Sequence, residues 1–220
     1  MGQNKALLIR VAIFGGIALI AIYIGYRIML PDELGVMSPS EINEELVDST
    51  MQDIDSGHRI KDFHLVDQHG DTISREDLKG KVTVVNFFFT TCQGICPKMN
   101  SNIETVAQAF QEEPKVQFLS HTVDPSYDSV EVLKKYAERF DHTRGQWHFL
   151  TGSKKAIYGL ARRSYFAVKS RSESKSVESD FIHTENVILV GPELRLRKFY
   201  SGTSEKKMDR LRKDIRILLR

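Results

Sequence analysis

The two cysteines of this chain are separated by three residues, in Cys92-Gln-Gly-Ile-Cys96-Pro97, directly behind an apolar run at 82–89. That run is dominated by Val and Phe, the pattern of a strand buried on both faces of a sheet. Pro97 suits the first turn of a helix, where the N–H it lacks would go unbonded anyway. A strand, a sharp turn and a helix are therefore joined at a dithiol. If Cys96 opens the helix, both sulfurs can face one point. A helix N-terminus offers free N–H groups and partial positive charge, which lower the pKa of a thiol placed there. Such a pair can close a disulfide, exchange disulfides with another protein, or hold a soft metal.

The segments around this unit alternate in type. Phe63-His-Leu-Val-Asp reads as a strand, Gln68-His-Gly-Asp as a hairpin turn with Gly70 at positive φ, and Thr72-Ile-Ser as the return strand. A short helical cap follows at 74–78. After the cysteines come a helix to about 110, a strand at 116–120, a helix over 126–140 and a strand at 147–151. Next are a helix over 153–163 with Ser153 as N-cap, a short extended piece at 165–168 and a Ser-, Lys- and Glu-rich stretch at 169–180. An antiparallel pair at 187–190 and 194–200 and an amphipathic helix at 204–220 close the chain. The order β-α-β-α-β-α and then β-β-α implies an α/β fold with a central mixed sheet flanked by helices. A Cys pair between the first long strand and the first long helix is the thioredoxin-like arrangement.

The N-terminus is different in kind. Residues 11–26 carry no charge, are preceded by Ala6-Leu-Leu-Ile, and are bracketed by Arg10 and Arg27. About 20 apolar residues cross a bilayer core, and long cationic side chains at the ends can reach the interface. Lys5 and Arg10 before the run, with Asp32 and Glu33 after it, place the N-terminus on the cytoplasmic side. The rival, a cleaved signal peptide, wants a small-x-small site that does not follow the run. We therefore expect a cytoplasmic tip and transmembrane helix at 1–30, a polar tether at 31–57 and an extracytoplasmic, periplasmic-type domain at 58–220. A disulfide is permissible in that compartment. A net charge of +2 without a basic run gives no argument for nucleic acid as a partner.

Two thiolates can hold Cu(I) linearly, and a third ligand would fix a trigonal site. Of the seven histidines, His183 stands out, because it precedes the strand at 187–190. In a thioredoxin-like fold the loop before that hairpin passes close to the cysteine helix. Met99 reads as core packing, and His121, near Asp124, as a surface residue.

Val85-Asn-Phe-Phe-Phe-Thr-Thr-Cys-Gln-Gly-Ile-Cys-Pro, Val123-Asp-Pro-Ser-Tyr-Asp, Leu150-Thr-Gly-Ser, His183-Thr184 and Gly191-Pro192 together resemble the Sco/SenC family. These are membrane-anchored copper proteins that assist assembly of the copper-A centre of cytochrome c oxidase. The resemblance spans about 58–202. It implies that Cys92, Cys96 and His183 bind copper, as Cu(I) or Cu(II), with the two cysteines also a redox pair. Asp124 matches an acidic residue near the family's site. The implied partner is the copper-A subunit or another copper protein. Ile182 stands where the family often has Asp, Glu185 and Asn186 where it usually has apolar strand residues, and Gln93-Gly-Ile lacks the Pro-Asp often found between the cysteines.

Several functions remain open at this point. One is copper delivery by ligand exchange through Cys92, Cys96 and His183. Another is thiol-disulfide exchange, with Cys92 attacking and Cys96 resolving. A peroxidase on the same fold wants a Pro before the Thr, where Phe89 stands. A purely structural disulfide gains little from closing so short a loop.

Overall fold

The computed structural model describes residues 2–29, 34–38, 57–143, 146–167 and 185–220. Residues 39–56 of the tether, within which Glu41 to Val47 reads as a short helix, the Ser-rich stretch 169–180 and His183 lie outside the described residues. The chain divides into two compact units, Met1–Glu33 and Leu34–Arg220. The first is one helix, α1 (Gly2–Met29). Its described apolar side chains, among them Phe14, Leu19 and Ile22, are exposed. Among the described residues, no helix is long and apolar enough to cross a membrane.

The second unit is the α/β domain that the element order implies. β1 (His64–Val66) and β2 (Thr72–Ser74) form an antiparallel hairpin. Gly70 makes its turn with φ of +88°, a conformation open to a residue without Cβ. The Asp67 carboxylate holds the turn by accepting from the N–H of His69 at 2.8 Å and of Asp71 at 3.0 Å. It also meets His148 Nδ1 at 2.9 Å, tying the hairpin to the main sheet. A 3-10 turn, Arg75–Leu78, carries a capping box between Ser74 and Asp77.

The main sheet has five strands: β3 (Val82–Phe88), β4 (Val116–Thr122), β5 (Trp147–Leu150), β6 (Asn186–Val190) and β7 (Leu196–Ser201). Their spatial order is β5-β4-β3-β6-β7. β3, β4 and β5 run parallel, and β6 and β7 are antiparallel to their neighbours. β3 is therefore central, and all seven of its residues are buried. Its side chains alternate between two cores. Val82, Val84 and Phe88 face α2 (Ile95–Gln108), α3 (Val130–Ala137) and α5 (Glu205–Leu218). Val85 and Phe87 face α4 (Lys154–Arg163) and the β1–β2 hairpin.

Three expectations change. The helix expected over 126–140 starts only at Val130, because Ser129 caps it by accepting from Val132 N–H. Residues 165–167 are a turn rather than an extended piece. Phe166 has φ of +48°, fully buried against His58, whose ring lies 4.7 Å away. A side chain in that region costs about 1–3 kcal/mol and persists only where its surroundings fix it. Here they do: His58 Nε2 meets the Ser164 carbonyl at 2.9 Å, and Ala167 N–H donates to the Ala161 carbonyl.

His121 is the third. It is wholly buried rather than at the surface, stacked on Phe87 at 5.1 Å with Phe63 and Tyr165 edge-on. Burial pushes its pKa from the ordinary 6.5 down to about 4. The folded protein thus refuses a proton that the unfolded chain accepts. This contribution is fully present above pH 6.5 and is lost as pH falls towards 4, by about 3 kcal/mol at most. Burial lowers His58 in the same direction, whereas Asp67 titrates below the ordinary carboxylate range and adds to the loss only at lower pH. Urea midpoints should therefore drop between pH 7 and 4.5, and His121→Phe, which suits the aromatic surroundings, should flatten much of that slope.

Candidate metal and thiol centre

β3 ends at Phe88, and the chain turns at once. Cys92 N–H donates to the Phe89 carbonyl at 3.2 Å, closing the turn Phe89-Thr-Thr-Cys. α2 then begins at Ile95 with Gly94 as N-cap, so Cys96 is its second residue and Pro97 its third. Both cysteines are free thiols, Cys92 half-buried and Cys96 buried.

The two sulfurs are electrostatically unequal. At Cys92 burial works to raise the pKa, but hydrogen bonds from the Cys96 thiol and from the N–H groups of Cys96, Gly94 and Ile95 outweigh it, and the net shift is downward. These N–H groups are the ones an opening helix leaves unbonded. At Cys96 burial raises the pKa, and the hydrogen bond it gives Cys92 raises it further. Of the two, Cys92 is therefore the sulfur that ionises more readily, and Cys96 the one that keeps its proton. An accessible, activated thiol beside a buried partner is the division of labour that disulfide exchange needs. With both deprotonated, the same pair is a soft donor set.

What holds α2 at this height is a chain of buried polar groups. Asn86, on the α2 side of β3, donates through Nδ2 to Asn100 Oδ1 at 3.1 Å, one turn beyond Cys96. Asn86 Oδ1 accepts from Ser120 Oγ at 2.5 Å, and Ser120 Oγ from Trp147 Nε1 at 2.8 Å. Asn100 Nδ2 reaches the Tyr136 hydroxyl at 3.0 Å. Tyr136 lies close enough to both cysteines to feel their charge. Met99 is fully buried, as expected of a packing residue.

The loop after β4 braces the turn from the side. Asp128 is fully buried, and its carboxylate accepts from Thr90 N–H at 3.2 Å and from the hydroxyls of Thr90 and Thr122. Asp124 is half-buried and shapes the loop through its backbone, its carbonyl accepting from the N–H of Tyr127 and Asp128. Among the described residues its carboxylate has no hydrogen-bond partner. The side chain gripping the cysteine turn is thus Asp128, four residues on. Asn86, Asn100, Tyr136 and Asp128 were not singled out from the sequence. Asn86 is a polar exception in an apolar strand and was visible there; the pairing of the others needs three dimensions.

His183 lies outside the described residues. Among those described, no three of His, Cys, Asp and Glu form a group that could hold a metal ion. The chain is described again from Glu185, whose carbonyl accepts from Gly202 N–H at 2.7 Å. Gly202 sits so close to α2 that a Cβ there would come within 2.6 Å of the Met99 side chain and 2.8 Å of Val187.

The inequality of the thiols gives a direct expectation. Iodoacetamide at pH 7 should modify Cys92 well before Cys96. Cys96→Ala removes the thiol donor and should raise the Cys92 pKa, whereas Cys96→Ser keeps a donor and should restore part of the shift. Thiolate absorbance at 240 nm against pH reads both.

Comparison with known proteins agrees with this architecture. The SCO1/SenC family model matches residues 52–220. The SCO1 protein homolog of Bacillus subtilis is 32% identical over 161 residues, covering 72% of this chain and 82% of that protein. The mitochondrial SCO2 homolog of Homo sapiens is 32% identical over 159 residues, but the chain spans only 58% of its length. Among solved structures, BsSco, a Sco-family cytochrome c oxidase assembly protein with an identified disulfide switch, has a TM-score of 0.61 at 32% identity. The match covers 73% of this chain and 93% of that one. Bradyrhizobium japonicum ScoI, solved with copper bound, has a TM-score of 0.58 at 25% identity, covering 72% and 98%. On the family match and on these relatives, the chain belongs to the SCO1/SenC family.

Proposed function

We propose that this chain handles copper for the assembly of cytochrome c oxidase, binding it through Cys92, Cys96 and His183 and passing it to the copper-A subunit or another copper protein as cargo. The observation that carries the reading is the pair of thiols at the head of α2, one lowered in pKa by N–H donors and the other buried beside it. Copper bound in the Bradyrhizobium relative supports the choice of metal. The position of Glu185 supports His183 as third ligand. Glu185 is fixed through Gly202 beside the first turns of α2, and two residues of chain reach at most about 7 Å. Ligand exchange suits two or three soft donors, since an incoming thiolate can replace one sulfur while the others still hold Cu(I). Asp124, on the loop beside the site, is proposed as an outer residue.

A second reading is favoured by the unequal thiols. Here Cys92 thiolate attacks a disulfide of the copper-site partner, expelling one partner thiolate and forming a mixed disulfide. Cys96 then gives up its proton and attacks Cys92 sulfur. The second partner thiolate leaves, and a Cys92–Cys96 disulfide remains. The partner gains two electrons and this chain loses two.

We also propose that residues 6–26 anchor the chain as a single membrane span, with the N-terminus cytoplasmic and the thiol domain outside. The support is the uncharged run between Arg10 and Arg27.

Anaerobic Cu(I) titration of the reduced protein against a competing chelator tests the first reading. Tight one-to-one binding is expected, abolished by Cys92→Ala or Cys96→Ala and weakened at least tenfold by His183→Ala. Binding indifferent to His183 would remove it from the ligand set and favour the exchange reading. Alkaline carbonate extraction of membranes tests the anchor: the chain should stay in the pellet, and release into the supernatant would sink the span.

A further inference from the structure

The surface around Cys92 has a property that neither copper nor a small thiol requires. Outside α1, the exposed large hydrophobic side chains among the described residues are Ile95 and Tyr127, at 39% and 57%. They come from different loops. Ile95 opens α2, three residues after Cys92, and Tyr127 lies in the loop that follows β4. β3 and β4 are adjacent parallel strands, so both loops leave the same edge of the sheet. Asp128, next to Tyr127, binds Thr90, two residues before Cys92, at backbone and hydroxyl. That buried carboxylate laces the two loops into one rim. The whole stretch 90–97, Thr-Thr-Cys-Gln-Gly-Ile-Cys-Pro, contains no charged residue in a chain that is 27% charged.

Exposed apolar side chains scattered singly need no explanation. Two that flank a reactive thiol, in a domain whose other described large apolar side chains are covered, do. We infer that the Ile95–Cys92–Tyr127 rim is a docking surface for a protein partner, and that the occupant is a loop carrying its cysteine between uncharged, apolar neighbours. Contact with such neighbours removes apolar area from water on both sides, and Tyr is a side chain that anchors interfaces well. A charged flank would have to shed water against Ile95 and Tyr127, and no residue at 90–97 offers it a counter-charge. The rim thus selects the chemistry beside the partner's sulfur, while Cys92 reacts with the sulfur itself. This inference rests on the reading of Cys92 as the thiol that meets the partner.

The test uses the full reduced chain and two disulfide-linked peptide dimers, one of Leu-Phe-Cys-Leu-Ala and one of Ser-Gly-Cys-Gly-Ser. Reduction of each by the protein is followed by quench and mass spectrometry. The apolar peptide should react about tenfold faster. Tyr127→Ser should cut that preference at least threefold while leaving the rate of iodoacetamide alkylation at Cys92 unchanged, and Ile95→Ser should cut it as well. Equal rates for the two peptides, or a preference that survives both substitutions, would overturn the docking surface. So would a preference that fades as protein concentration rises, since the rim would then be covered by a second copy of the chain. Loss of Cu(I) binding with the preference intact would instead overturn copper delivery and leave the rim standing.

Discussion

The hydrogen bond between Asn86 and Asn100 is the joint on which the geometry of this domain depends. Asn86 is 2% exposed in the central strand, and Asn100 is wholly buried in the helix that lies across it. An amide buried without partners costs several kcal/mol in an apolar medium, so each side chain commits the other. Sliding α2 along β3 by one residue would break this bond and leave Asn86 Nδ2 and Asn100 Oδ1 without their partners, while Asn86 Oδ1 stays held by Ser120. The height of the helix start relative to the strand end is thereby fixed. That height decides whether the N–H groups of Gly94, Ile95 and Cys96 point at the Cys92 sulfur. Apolar packing alone, with Val84 and Phe88 beneath Ile103 and Val106, supplies cohesion but tolerates small shifts better than a directional polar pair does.

A second constraint comes from the side. Asp128 holds Thr90 at two atoms and Thr122 at a third, so the turn carrying Cys92 is fastened to the adjacent strand as well as to its own. The half-exposed sulfur therefore sits on a rigid support, although it lies in a loop. This suits ligand exchange and disulfide exchange equally, since both need one sulfur to be presented in a reproducible direction while its partner stays covered. Met99 and Gly202 complete the frame, because their close contact leaves room for no side chain between α2 and the entry to β6.

The parts of this design that were legible in the sequence are those written in local pattern. The run at 82–89, the turn at Gly70, the cap at Ser153 and the strand–turn–helix at the cysteines all announce themselves through spacing and residue type. Asp128 did not, because Asp124 stands in the same short motif and nothing in one dimension says which carboxylate turns inward. His121 was read as a surface residue because histidine usually is one. Its place on a doubly buried strand, opposite Phe87 in register, follows only once β3 and β4 are paired. The left-handed turn at Phe166 is equally hidden, since a Tyr-Phe-Ala sequence favours extended backbone and only the packing of His58 and the bond from Ala167 to Ala161 impose the alternative. Of Glu185 and Asn186, which look out of place in a strand, the first precedes β6 and the second opens it, and the apolar part starts at Val187.

The anchored turn at Ser164 to Ala167 and the bond between Glu185 and Gly202 are the two fixed feet of the segment 168–184. Both feet are held by hydrogen bonds within the described domain, Ala167 by Ala161 and Glu185 by Gly202. A chain break between Ala167 and Glu185 would therefore leave both flanking ends tied to the scaffold that holds the thiols.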